Sequence, residues 1–213
     1  MDKTLVELLE TSHYQTFDFL DGRKRDSDSA DKWNKSKLQE YDLLGASVLD
    51  IGCNAGYFVF RLLSLNPAEV IGIDGGQKWI DIANGLNKKH FKSDIVQFIC
   101  EDFFKQAFSQ KFALIICFST FHYMSEQEKF FWKVKTHLSD GGILLLEVEE
   151  SPHNCAPCVD RASRPSDNAR HYYPNSLQIE KWIEGKFEIK EKYLSTHQGG
   201  SVYERYFYKL QKI

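Results

Sequence analysis

The stretch Val48-Leu-Asp-Ile-Gly-Cys-Asn-Ala-Gly-Tyr-Phe58 decides how the rest of the chain is read. It opens as a short apolar run containing a β-branched residue, the composition of a strand buried in a parallel sheet. It breaks at Gly52-Cys-Asn-Ala-Gly56 and resumes as Tyr57-Phe-Val-Phe-Arg-Leu-Leu63, an apolar run long enough for a helix. Strand, glycine turn and helix together bring backbone N–H groups and a helix N-terminus up to a ligand. Asp50 precedes the turn, and the next apolar run, Val70-Ile-Gly-Ile-Asp74, ends in another acid. An acid at a strand end can accept hydrogen bonds from ribose hydroxyls. The pattern is that of a nucleoside-cofactor site.

The spacing narrows the cofactor. A dinucleotide fingerprint, G-x-G-x-x-G, lets a pyrophosphate lie on the helix end. Here the glycines are spaced G-x-x-x-G, with Asn54 where another glycine often stands. Asp50 would repel a pyrophosphate and attract an ammonium group, so a cofactor with an amino-acid end and a ribose fits better. On these residues the chain resembles the class I S-adenosylmethionine-dependent methyltransferases, whose first motif runs hydrophobic-Asp-x-Gly-x-Gly-x-Gly. Asn54 departs from the middle glycine of that motif. The resemblance runs from about Gly45 to the C-terminus.

The flanking sequence supplies further strands and helices in a repeating order. Gly75-Gly76 is a turn, and Trp79, Ile80, Ile82, Ala83 and Leu86 recur at helical spacing. Asn87 to Lys92 closes that helix with positive charge, favourable at a C-terminus. Ile95–Cys100 reads as the third strand, Phe112–Phe118 as the fourth and Ile143–Glu150 as the fifth, after a helix from Glu126 to Leu138 and a turn at Ser139-Asp-Gly-Gly142. Asn175-Ser176 can cap a helix running to Gly185. Phe187–Tyr193 and Val202–Leu210 alternate as two strands joined by a loop containing Gly199-Gly200. The expected fold is α/β and Rossmann-like: a mostly parallel seven-stranded sheet with a C-terminal antiparallel hairpin and helices on both faces.

Two segments stand outside this order. Residues 1–44 read as an N-terminal helical or lid segment, with an amphipathic run over 1–12, aromatics beside Arg23-Lys-Arg25, and a helix over Asp31–Tyr41. Residues 45–213 form the expected methyltransferase domain. Within it, 151–174 lack periodicity and are expected to be a substrate-lining crossover, because a long structureless stretch in a compact domain is usually functional or disordered.

Composition sets the remaining bounds. At 213 residues the chain suits one well-buried domain. Hydrophobic residues at 42% and charged ones at 27% are ordinary for a globular protein. A net charge of −3 gives no global attraction to DNA or RNA. The N-terminus has no apolar core for a signal peptide and no run approaches a membrane span, so a cytoplasmic location is expected. Five cysteines, an odd number mostly in apolar contexts, suit a reducing compartment.

The resemblance implies roles residue by residue. Asp50 and the backbone of Gly52, Cys53, Asn54 and Gly56 hold the methionine end of S-adenosylmethionine. Asp74, followed by Gly75, takes the ribose hydroxyls. Asp102 and Phe103 hold the adenine, and Phe118 flanks it or shapes the pocket. Asp102 also reads as the cap of the next turn. For the base that deprotonates a hydroxyl acceptor, His122 at the end of strand four leads, since imidazole titrates near neutrality. His153 is its rival. Tyr14, Arg25, Arg170, His171 and Tyr172 are the expected acceptor contacts.

Glu147, Glu149 and Glu150 cluster at the end of strand five, Glu147 and Glu149 on one face and Glu150 on the other. With His153 they form a candidate cation site, but solvated strand-end acids are the simpler expectation and no metal is assigned. His153-Asn-Cys155-Ala-Pro-Cys158 holds half of a zinc pattern with no second Cys-x-x-Cys, and ordinary loop thiols are expected. The chain is loosely similar to enzymes that modify the tRNA wobble uridine and to small-molecule O-methyltransferases. Net acidity favours O-methylation of a small polar acceptor, a sugar or biosynthetic intermediate. The alternative is modification of a tRNA nucleotide, for which Arg23–Arg25, Arg161, Arg164 and Arg170 speak. A non-catalytic module of the same fold is the third possibility.

Overall fold

The expected strand runs are strands in the computed structural model, which describes Gln15, Phe17 and residues 27–153, 159–163, 169–195 and 203–213. In chain order the elements are α1 (Ser29–Lys35), β1 (Ser47–Ile51), α2 (Tyr57–Leu62), β2 (Glu69–Asp74), α3 (Gln77–Leu86), β3 (Val96–Cys100), β4 (Phe112–Cys117), α4 (Gln127–His137), β5 (Leu138–Glu150), β6 (Val159–Ser163), β7 (Arg170–Pro174), α5 (Ser176–Ile183), β8 (Phe187–Leu194) and β9 (Glu204–Lys212). Seven of the strands form one sheet in the order β3-β2-β1-β4-β5-β9-β8. β1, β2 and β3 pair in parallel, as do β4 and β5, whereas β9 runs antiparallel to both β5 and β8. The Rossmann-like sheet and its terminal antiparallel pair are therefore as expected.

The chain divides into two compact units, Met1–Ala107 and Phe108–Ile213. In the first, Val48, Leu49, Ile51, Val70, Ile71 and Ile73 are buried along β1 and β2, which is why these runs are apolar without alternation. Ile80, Ile82, Ala83 and Leu86 form the buried side of α3. Phe60 of α2 stacks on Phe91 at 4.0 Å between ring centres and meets Phe98 edge-on at 5.5 Å. Each such side chain removed from water contributes roughly 1.5–3 kcal/mol.

In the second unit, Leu114, Ile115 and Ile116 of β4 and Leu144, Leu145 and Leu146 of β5 are fully buried. Phe121, on the 3₁₀ turn Phe121–Tyr123, packs edge-on against Phe130 and Phe131 of α4. Asn175 caps α5 as expected, its side chain accepting from the Gln178 N–H at 2.9 Å. β8, at the sheet edge, exposes Glu188 and Lys190, charges that discourage another strand from pairing there.

Three expectations change. The stretch over 151–174 is not structureless: β6 and β7 form an antiparallel two-stranded sheet, with Arg161 opposite Tyr172 and Ala162 opposite His171. Its alternation was hidden because a histidine, His171, occupies a fully buried position. The helix expected over 31–41 stops at Lys35, and a 3₁₀ turn follows Lys37, whose φ of 57° no helix tolerates. The Gly141-Gly142 turn lies inside β5 as an irregularity, the register jumping from Phe112–Leu138 to Leu114–Ile143. The amphipathic run over 1–12, Tyr14, Arg23–Arg25, Cys155, Cys158 and Arg164 lie outside the described residues. Among the described residues no helix is long and apolar enough to cross a membrane.

Candidate active site

In the first unit the chain leaves β1 through a loop bent by three left-handed residues: Gly52 at φ +77°, Asn54 at +51° and Gly56 at +90°. Asparagine is among the few residues with a Cβ that visit this region readily, which explains how Asn54 replaces the middle glycine of the motif. Its side chain accepts from the Ala55 N–H at 2.8 Å, and its own N–H donates to Asp74 Oδ2 at 2.9 Å. Gly56 could not be replaced freely, since a Cβ there would lie 2.8 Å from the Phe98 ring. The Gly52 and Cys53 N–H groups both donate to the Ile73 carbonyl, tying the loop to the end of β2. Gln15, from the N-terminal segment, grips the same loop: it donates to the Cys53 carbonyl at 3.3 Å and accepts from the Tyr57 N–H at 3.2 Å. Nothing in the motif signalled Gln15, because the contact spans 38 residues.

The electrostatics of this loop are set by two acids. Asp50 is buried, and its Oδ2 has no hydrogen-bond partner among the described residues. Burial, then the neighbouring Asp74 charge, push its carboxyl up from the usual range to about 8. The same burial and the same two acids raise the Cys53 thiol. A buried carboxyl oxygen without a partner invites a cationic donor. Asp74 is half-buried; Oδ1 accepts from the Gly76 N–H at 2.8 Å and Oδ2 from Asn54, which leaves further lone pairs on both oxygens. Asp102 is exposed and accepts from the Phe104 N–H at 2.9 Å, the turn-capping role, while Phe103 beside it is buried.

The second unit holds a polar cluster of its own. His122 on the 3₁₀ turn, Glu149 on β5 and His171 on β7 are all buried. His122 Nδ1 lies 3.4 Å from Glu149 Oε2, and the two imidazole ring centres are 4.9 Å apart. Arg205, directly across from Glu149 in the β5–β9 register, donates to Glu149 Oε1 at 3.0 Å and to Ser119 Oγ at 3.2 Å. Glu147 accepts from the Ser119 N–H at 2.8 Å, Ser119 Oγ at 3.0 Å and Ser195 Oγ at 2.6 Å. Glu150 takes Lys192 at 2.8 Å and the Tyr208 hydroxyl. Burial, then Glu150, hold that phenol protonated well above its usual range.

A family model described as a methyltransferase domain matches residues 44–192. The chain belongs to the methyltransferase-domain family. Its curated relatives include tRNA U34 carboxymethyltransferases. That of Campylobacter jejuni subsp. jejuni serotype O:23/36 (strain 81-176) is 33% identical over 158 residues, covering 72% of this chain and 53% of the relative. That of Sulfurovum sp. (strain NBC37-1) is 31% identical over 154 residues, covering 71% and 50%. The chain thus spans about half the length of the curated relatives it matches. Among solved structures, an S-adenosylmethionine-dependent methyltransferase from Mesorhizobium loti superposes with a TM-score of 0.69 at 15% identity, covering 87% of this chain and 99% of that one. A 1,6-didemethyltoxoflavin-N1-methyltransferase from Burkholderia thailandensis gives 0.69 at 14%, covering 87% and 79%. At such identities the likeness establishes the fold.

Within this methyltransferase domain, the first unit brings together the residues singled out around Asp50, Gly52, Cys53, Asn54, Gly56 and Asp74. Phe118 lies in the second unit, buried edge-on against Phe207 at 5.1 Å. The two candidate bases part company: His122 is in the buried cluster, whereas His153 is exposed with Nε2 3.5 Å from Asp160. His171 joins His122. Tyr172 is half-buried with the Arg161 guanidinium 5.9 Å from its ring centre, and Arg170 is exposed. The three glutamates are buried rather than solvated, contrary to expectation, because Arg205, Lys192, Ser119 and Ser195 serve their oxygens.

Proposed function

We propose that the chain is an S-adenosylmethionine-dependent methyltransferase acting on a hydroxyl oxygen. The observation that carries this reading is Asp50, a buried acid at the end of β1 with one oxygen unpartnered beside the glycine loop. An ammonium group on Oδ2 would satisfy that oxygen and favour the ionised carboxylate that burial opposes. Asp74 keeps lone pairs for two ribose hydroxyls, and Phe103 with Asp102 stands at the end of β3 for an adenine. When bound, S-adenosylmethionine supplies an electrophilic methyl group and its own leaving group. The chain's share is to hold and orient the reactants, exclude water and manage the acceptor's proton. The Gly52–Gly56 loop, fixed by Ile73, Asp74 and Gln15, does the holding. The cluster around His122, oriented by Glu149, does the proton management.

The relatives' named activity supports a tRNA nucleotide as acceptor, reversing the order that net charge suggests. The second reading, a small polar hydroxyl compound, is favoured by the net charge of −3, which gives no global attraction to RNA. The deciding experiment incubates the protein with methyl-labelled S-adenosylmethionine and, separately, unmodified tRNA or a phosphate-free low-molecular-weight extract. Label in a tRNA nucleoside, lost steeply as salt rises, supports the first; label only in the extract supports the second. No transfer to either, with cofactor bound, would sink the proposal of methyl transfer.

A further inference from the structure

We infer that His122, Glu149 and His171 form a binding site for one divalent transition-metal ion. Each offers a ligand atom, and the three atoms lie within 4.8 Å of one another. Two ligands at about 2.0–2.2 Å from one tetrahedral zinc ion stand roughly 3.3–3.5 Å apart. His122 Nδ1 and Glu149 Oε2 already stand at 3.4 Å. The two imidazole ring centres are 4.9 Å apart with planes 15° from parallel, so a ring must turn to bring both nitrogens onto one ion. The spread of up to 4.8 Å means that the three side chains must draw closer to share one ion.

Charge points the same way. Glu147 and Glu149 are two buried carboxylates, and Arg205 is the guanidinium that reaches both, at 4.0 Å and 3.0 Å. Glu147 also accepts from Ser119 and Ser195. A cation at the histidine corner would place positive charge beside these buried carboxylates. Arg205 on Oε1 fixes the carboxylate so that Oε2 is turned to His122, the outer-shell support that metal ligands commonly have. Tyr123 walls the cluster, its ring centre 4.4 Å from that of His122 and 4.7 Å from that of His171.

The donor set selects the metal. Two imidazoles and one carboxylate suit zinc, iron(II), cobalt or manganese, and disfavour magnesium and calcium, which want oxygen ligands. Three protein ligands leave coordination positions open for water or an acceptor oxygen. An ion there would acidify a bound hydroxyl and so take over the proton-handling role given to His122. That role rests on the function proposed above; the binding does not. The site differs from the one suggested by the strand-end acids alone: Glu149 joins two histidines from other elements, while Glu147, Glu150 and His153 are engaged elsewhere.

The test uses the full chain, stripped with a chelator and titrated with cobalt(II), zinc and magnesium. One equivalent of cobalt should bind, with visible absorption bands and no thiolate charge transfer, and zinc should displace it. Magnesium should bind roughly a hundredfold more weakly or not at all. His122→Ala, His171→Ala and Glu149→Gln should each weaken cobalt binding by at least about tenfold, while Cys155→Ser with Cys158→Ser leaves it intact. X-ray absorption on the unmutated zinc form should show imidazole scattering, a reading that survives if a variant fails to fold. No stoichiometric binding, thiolate bands, or equal affinity in the folded variants would overturn the inference. Titration with S-adenosylhomocysteine in parallel separates the two ideas: metal bound without nucleoside binding defeats the proposed function alone, and the converse defeats the metal site alone.

Discussion

At Asp50 the needs of folding and of binding are opposed. The folded chain holds this carboxyl at about 8, above its ordinary 3.8, so between those values the folded state binds a proton that the unfolded state has lost. Its contribution is full below about pH 4 and is lost as pH rises through about 8. Asp50→Asn removes that loss, so thermal melts of the variant and the parent should diverge with rising pH, the variant the more stable by about pH 9. The Gly56 position sets the opposite kind of limit. Gly56→Ala must hold a Cβ at φ +90° and 2.8 Å from Phe98, and should lose about 2 kcal/mol in urea denaturation. An unchanged midpoint would mean that the loop is free to rearrange.

Among the elements, those built of continuous or capped patterns were legible and those built on exceptions were not. β1, β2, β4 and β5 announce themselves because strands buried on both faces admit only apolar residues, and α5 because Asn175 stands where a cap belongs. Asn175→Ala should cost about 1 kcal/mol and also free the His153 carbonyl that it holds at 3.1 Å, visible as a lowered melting temperature. The β6–β7 pair was illegible because one of its buried positions, His171, is a histidine. The buried state of Glu147, Glu149 and Glu150 was illegible too, since it depends on Arg205 and Ser195, many residues away in sequence. The arrangement around Asp50 follows from one contiguous motif. The His122–Glu149–His171 cluster is assembled from three elements, and only the fold brings them together. Gln15 belongs to the same class. Removing its two loop contacts in Gln15→Ala should weaken S-adenosylhomocysteine binding about fivefold and lower the melting temperature, since it orphans a buried donor and a buried acceptor.

For the whole molecule, membership of the methyltransferase-domain family and a sheet in the order β3-β2-β1-β4-β5-β9-β8 fix the scaffold but leave the acceptor to experiment. We propose that the buried Oδ2 of Asp50 receives the ammonium end of the cofactor. Calorimetric titration with S-adenosylhomocysteine at about pH 6.5 and about pH 8, on the parent chain and on Asp50→Asn, tests it most directly. Micromolar binding, on the order of −8 kcal/mol, should strengthen toward pH 8 by up to about tenfold per unit as Asp50 gives up its proton. In the variant, binding should be at least about tenfold weaker and flat with pH. Equal affinity in parent and variant, or affinity that falls as pH rises to 8, would contradict it.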